Sequence, residues 1–240
     1  MSIGLIGYGR FGRLAARRIA KRRKVFVYDP RVEREPVPPR IHFTSLAAVA
    51  SQDIVILAVP VSALRETLIA VGPHLVPGAL IIDVCAVKSF PARWMKRMLP
   101  RRVQIIGSHP FFGPDSAPGP LRGHHIVICP IRVKKNLLNR VARVLRREGL
   151  NVSVMTPEAH DRLVAETILL TQYIGRLVSL SRLARQKAVT RNYAALLSMW
   201  DVAEHDSVQL FSDMVKYSAH GRRVVKAMAE ASRRLARELP

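Results

Sequence analysis

Gly7-Tyr8-Gly9-Arg10-Phe11-Gly12 stands between a short apolar run, Ile3–Ile6, and a segment of helical spacing, Arg10–Lys21. Few arrangements restrict a chain so tightly. The first glycine permits a sharp turn out of a strand, the second lets a ligand approach the backbone, and the third lets helix and strand pack closely. Unbonded N–H groups at the helix start, together with the helix dipole, then attract a phosphate, and Arg10 and Phe11 belong to that first turn. Asp29 follows the next apolar run, Val25–Tyr28. A carboxylate there accepts ribose hydroxyls and repels a 2′-phosphate. The combination predicts a dinucleotide site in which Gly7, Gly9, Arg10, Phe11, Gly12 and Asp29 hold NAD. Arg31 and Arg34 stand close by and keep NADP open.

The remaining pattern extends this start into a fold. Further apolar runs occur at Ile54–Val59, Ala79–Val84, Val103–Gly107, Ile126–Cys129 and Val152–Met155, most of them separated by stretches of helical spacing. Nearly continuous Val, Ile and Leu between helices predicts a parallel sheet buried on both faces. Residues 1–155 therefore read as a Rossmann-type α/β domain. Four prolines in Pro30–Arg40 predict an extended connection in place of a second crossover helix. Thr156-Pro157-Glu158 is a helix opening, with a hydroxyl cap, proline at the first position and an acid facing the dipole. The pattern then stays helical, with breaks near Gln186–Arg191, Ala203–Asp206 and Ala219–Gly221. Residues 156–240 read as a small all-α domain, with Ile168, Leu169, Tyr173, Leu177 and Leu180 on one face of its first long helix. Such a module suits homodimer formation.

A chain of 240 residues with 49% apolar and 23% charged residues can bury a sizeable core. Its apolar runs look short and interrupted, so no membrane span is expected. The start runs directly into a strand without a basic leader, which reads as cytoplasmic. Cys85 and Cys129 read as buried free thiols. The formal charge of +22 attracts polyanions in general. Lys and Arg are spread over many helices, and no module or aromatic-interleaved stripe accompanies them, so specific nucleic-acid recognition is not expected.

Candidate chemistry gathers where strands end. Val59-Pro60 closes one apolar run, Ser62 is placed as the cap of the following helix, and Asp83-Val84-Cys85-Ala86-Val87-Lys88 closes the next run. Ligands of open α/β sheets bind beyond the carboxyl ends of strands, so Val59, Pro60 and Cys85 are assigned to the nicotinamide side. Lys88 pairs either with a substrate carboxylate or with Asp83. In Gly107-Ser108-His109-Pro110-Phe111-Phe112-Gly113-Pro114-Asp115 a histidine lies between a predicted strand and a stiff turn. An imidazole, with an ordinary pKa of about 6.5, suits removal of a hydroxyl proton at neutral pH. His109 is therefore the catalytic candidate, with Ser108 and Gly113 beside the substrate. His124, His125, His160 and Asp161 read as structural.

G-Y-G-R-F-G, D-V-C-A-V-K, G-S-H-P-F-F-G-P-D-S and E-A-H-D-R-L-V-A-E-T, in this order, resemble the prephenate/arogenate dehydrogenase family, in its shorter plant and cyanobacterial form. The resemblance covers nearly the whole chain. It implies a Rossmann domain, a helical dimerisation domain and an active site between them. It also implies NAD(P)-dependent oxidative decarboxylation of prephenate or arogenate in tyrosine biosynthesis. The family pattern has serine where this chain has Ala86. It has glutamine and then histidine where the first long helix carries Ile168 and Gln172. Gln172 and Arg176 are the substrate-binding candidates on that helix, with Lys216, Arg222 and Arg223 as other sources of positive charge. The three departures also admit a related cyclohexadienol, such as an amino analogue of prephenate. A nucleotide-sensing basic binding protein is the reading from a different class.

Overall fold

The structure is a computed structural model describing residues 2–31, 36–187 and 190–238. It divides into two compact units, Met1–Pro157 and Glu158–Pro240.

Eight strands of the first unit form one sheet in the order β3-β2-β1-β4-β5-β6-β7-β8. They are β1 (Ile3–Ile6), β2 (Val25–Tyr28), β3 (Ile41–Phe43), β4 (Ile54–Leu57), β5 (Leu80–Asp83), β6 (Gln104–Pro110), β7 (His125–Arg132) and β8 (Asn151–Val154). Helices α1 (Arg10–Ala20), α2 (Leu46–Ala50), α3 (Val61–Val71), α4 (Ser89–Met98) and α5 (Lys135–Arg147) connect them. Leu5, Val27 and Ile56 pack under Ala15, Ala16 and Ile19 of α1. Ile82, Ile106 and Ile128 pack under Leu138, Val141 and Ala142 of α5.

Three expectations need correction. The sheet is not wholly parallel: β6 and β7 run antiparallel, and β7 and β8 are again parallel. The stretch between β6 and β7 carries Pro and Gly instead of a helical pattern, so the chain turns back without the crossover that a parallel pair requires. A buried apolar strand reads identically in either direction, which hid the reversal. Strand β3 and helix α2 were not anticipated, because three and five residues hold too little periodicity to detect. Helix α3 begins at Val61 with Pro60 as its N-cap, so Ser62 is not the cap.

The second unit is helical. A continuous run contains α6 (Pro157–Val164), one π-helical turn at Ala165–Leu169 and α7 (Leu170–Leu180); α8 (Arg191–His205), α9 (Val208–Lys216) and α10 (Ala219–Glu238) follow. Thr190 and Ser207 cap α8 and α9 by accepting from Tyr193 and Leu210 backbone N–H groups. Pro157–Leu180, with 24 residues and a mean hydropathy of 1.3, is long and apolar enough to cross a membrane by length and composition. That differs from the reading of short, interrupted runs. Along it His160, Asp161 and Gln172 are buried, whereas Leu163, Leu177 and Leu180 are exposed. His160 Nδ1 and Asp161 Oδ1 lie 2.9 Å apart. Gly175 lets α7 approach α8, since a Cβ there would stand 2.8 Å from the Ala203 Cβ.

Candidate active site

The three glycines of the first loop play three different parts. Gly7 has φ +96°, a left-handed conformation that suits glycine, and its N–H donates to the Tyr28 carbonyl at 2.9 Å. A Cβ on Gly12 would overlap the Gly7 carbonyl oxygen, so α1 and β1 pack as closely as they do only with glycine there. Gly9 is extended, at φ −68° and ψ −168°, and a Cβ on it would meet nothing within 4 Å. It is the N-cap of α1 without a side-chain cap, and the first turn carries no acid. An open space at a helix start, where the first N–H groups have no partner within the helix, fits a pyrophosphate. Asp29 closes the loop from the side: Oδ2 accepts from the Tyr8 N–H at 2.6 Å and Oδ1 from the Arg31 N–H at 2.9 Å. Arg34 lies outside the described residues.

This arrangement separates folding from binding. Gly9→Ala has a compatible backbone and free space, so its melting temperature should match the parent while NAD affinity falls at least about tenfold, roughly 1.4 kcal/mol. Gly12→Ala should instead destabilise the unit by about 1–3 kcal/mol through overpacking. Thermal melts combined with dinucleotide titration distinguish the two, and unchanged NAD affinity in Gly9→Ala would refute the pyrophosphate assignment.

Ile6, Leu57, Asp83 and Gly107 align in one row at the carboxyl end of the parallel strands. Strand β6 continues three residues beyond this row, through Ser108 and His109 to Pro110. His109 is therefore the penultimate residue of a strand, not part of the loop after it. The pairing of His109 with Val127 and Pro110 with Ile126 on β7 extends the strand. His109 is 9% exposed and meets the Phe111 ring edge-on at 4.9 Å between centroids. Ser108 points to the opposite face and donates its hydroxyl to the Asp83 carbonyl at 2.8 Å, tying β6 to the end of β5.

Asp83 and Lys88 are both fully buried and form an ion pair through Oδ2 and Nζ. The carboxylate also accepts from the Cys85 N–H at 3.1 Å. Lys88 thus pairs with Asp83, one of its two predicted roles. Gly107 makes room for them, because a Cβ there would stand 3.1 Å from Lys88 Cδ and 3.2 Å from Asp83 Oδ1. Cys85 Sγ lies 3.6 Å from the Val59 carbonyl, so Val59, Pro60 and Cys85 meet at this edge. Both cysteines are buried free thiols.

The segment after β6 lies against α1. Phe112 contacts Phe11 with ring centroids 6.4 Å apart, and it packs on His124 at 5.3 Å. Arg10 and Asp115 form an exposed ion pair at 2.5 Å, and Arg18 donates to the Ala117 carbonyl at 3.1 Å. The Gly113 N–H donates to Ser116 Oγ at 2.9 Å, closing the turn. Asp115 and Arg18 were not among the expected site residues. Contacts about a hundred positions apart leave no trace in local spacing.

Gln172 and Arg176 belong to the second unit and meet there at Asp206. Gln172 Nε2 donates to Asp206 Oδ2 at 2.5 Å, and Arg176 donates to the Asp206 carbonyl at 2.9 Å while lying over the Phe211 ring. Gln172 Oε1 and Arg176 Nε are buried without a hydrogen-bond partner among the described residues. Asp206 was noted only as a helix break. Arg222 donates to the Lys216 carbonyl, and Arg223 faces Glu166 at 3.8 Å.

Comparisons agree with this architecture. Residues 37–155 match the family model of the prephenate dehydrogenase nucleotide-binding domain. A probable arogenate/prephenate dehydrogenase of Methanocaldococcus jannaschii is 34% identical over 137 residues, covering 55% of this chain and 30% of that protein. Chloroplastic arogenate dehydrogenase 1 of Arabidopsis thaliana is 26% identical, covering the whole chain and 39% of its own length. The chain thus spans between 30% and 39% of the length of these two relatives. Among solved structures, the Aquifex aeolicus prephenate dehydrogenase in complex with hydroxyphenyl propionate and NAD+ has a TM-score of 0.75 at 20% identity, covering 99% of this chain and 90% of that one. Synechocystis arogenate dehydrogenase has a TM-score of 0.66 at 22% identity, covering 99% and 90%. In a chain with a Rossmann-like mostly parallel sheet and a helical second unit, residues 37–155 carry the nucleotide-binding domain of the prephenate dehydrogenase family.

Proposed function

We propose that the chain is an NAD(P)-dependent dehydrogenase that oxidatively decarboxylates prephenate or arogenate in tyrosine biosynthesis. One observation carries the reading: an open three-glycine loop and a histidine share the carboxyl edge of one sheet. The dinucleotide, when bound, accepts hydride from the carbinol carbon of the substrate ring. Gly9 and the start of α1 hold its pyrophosphate, and Asp29 takes the adenosine ribose, with NAD the preferred form. Val59, Pro60 and Cys85 border the nicotinamide side.

His109 accepts the ring hydroxyl's hydrogen bond and holds its proton as hydride departs. The bond to the ring carboxylate then breaks, its electron pair enters the ring, CO2 leaves, and the proton returns to the phenolic oxygen. Ser108 ties β6 to the end of β5 and so fixes the strand that carries His109, Gly113 belongs to the turn that follows, and Gln172 and Arg176 are the substrate-binding candidates of α7. The helical unit also forms the homodimer, a reading supported by Leu177 and Leu180, which are 47% and 79% exposed. NADH and NADPH formation should be measured with prephenate and with arogenate side by side. Turnover with either substrate supports the proposal, and its absence with both refutes it.

A further inference from the structure

Residues 10–24 contain eight Lys or Arg and no acid, and residues 134–147 contain six and no acid. Along the chain these are separate helices; the fold makes them one surface. Strand register places Leu5, Ile56, Ile82 and Ile106 on the same face of the sheet. Helix α1 packs over the first two and α5 over the last two. Arg22, just past α1, and Glu148, just past α5, form an ion pair at 2.7 Å. Since both helices turn their apolar sides to the sheet, their outer sides carry the charge. Arg17 on α1, Lys21 at its C-cap and Lys24 in the turn before β2 are exposed, as are Arg143, Arg146 and Arg147 on α5. The last three border, with Asn139, an open depression of about 410 Å3, roomy enough for a phosphate group.

This charge is poorly placed to serve the dinucleotide. Helix α1 begins at the glycine loop, and Lys21 lies roughly 16 Å along its axis at about 1.5 Å per residue. We propose that the α1/α5 face binds the phosphate backbone of duplex nucleic acid without regard to sequence. Guanidinium groups match phosphate oxygens in paired hydrogen bonds. Helix α5 has no aromatic residue and Phe11 of α1 packs against Phe112, so the face offers no free aromatic ring as a platform for unpaired bases. The apolar sides of both helices face the sheet, and Val144, half-exposed on α5, stands alone rather than in a stripe that could enter a lipid surface.

Fluorescence anisotropy with a fluorescein-labelled 20-bp DNA duplex, titrated across salt concentrations, tests this. Each phosphate neutralised contributes about −0.9 to the slope of log affinity against log salt. A variant combining Arg17→Gln, Lys21→Gln, Arg143→Gln and Arg147→Gln should bind at least about 30-fold more weakly, with a slope shallower by about 3.6. A charge-matched control, Lys187→Gln, Arg191→Gln, Arg233→Gln and Arg237→Gln, should stay within about threefold of the parent. Equal losses in both variants would assign the attraction to net charge and overturn the proposal. So would parent protein that binds phosphatidylserine vesicles in preference to the duplex. On the unaltered protein, saturating duplex should protect Lys21 and Lys24 from acetylation, and unprotected lysines would count equally against it.

Discussion

Replacing His109 with asparagine is expected to reduce kcat by about 10²–10⁴-fold while leaving the NAD dissociation constant nearly unchanged. That loss corresponds to roughly 3–5.5 kcal/mol of transition-state stabilisation. The asymmetry follows from the sheet. The proposed dinucleotide site lies at the start of α1 and at Asp29, whereas His109 stands on β6, three strands away from β1. Asparagine keeps a polar group of similar reach, so Phe111 retains a neighbour and the strand keeps its pairing with Val127. Only the capacity to hold a proton disappears. Stopped-flow detection of NADH with equilibrium NAD titration gives both quantities. Turnover equal to the parent's would remove the histidine from the mechanism, and a parallel collapse of NAD binding would reassign it to structure.

Lys88→Met should be the most destabilising single change among the residues of this edge. It leaves Asp83 fully buried and without its counter-charge, and Oδ1 already lacks a hydrogen-bond partner among the described residues. Breaking one half of a buried pair costs about 3–5 kcal/mol. In a domain of this size, a loss of that order lowers Tm by roughly 6–20 °C. Removing both charges, as Asp83→Leu with Lys88→Met, should recover most of the loss, because desolvation of an unpaired charge is the dominant cost. Differential scanning calorimetry of both singles and the double closes the cycle. If the single and double variants melt together near the parent's temperature, the pair contributes nothing to stability.

Much of this was legible from local spacing. The glycine loop, most of the strands and the placement of His109 near a strand's carboxyl end depend on neighbours within a few residues. The extent of β6 was harder to read, because Pro110 resembles a stop signal until β7 is seen pairing with it. The reversal of β7 was invisible, since Ile126–Cys129 looks the same read from either end. Asp115 and Asp206 find their partners across long stretches of chain, and no periodicity encodes those meetings. The basic surface is a similar case: α1 and α5 are each ordinary charged helices, and only strand register shows that they share a side.

The ion pair of Arg10 with Asp115 and the bond from Arg18 to Ala117 join residues 105 and 99 positions apart. Closing so large a loop is entropically slow compared with winding an eleven-residue helix. During refolding, ellipticity should therefore plateau before the chain regains its capacity to quench with NAD. Secondary structure would precede competence, and the interval between them is the time this seam takes to find itself.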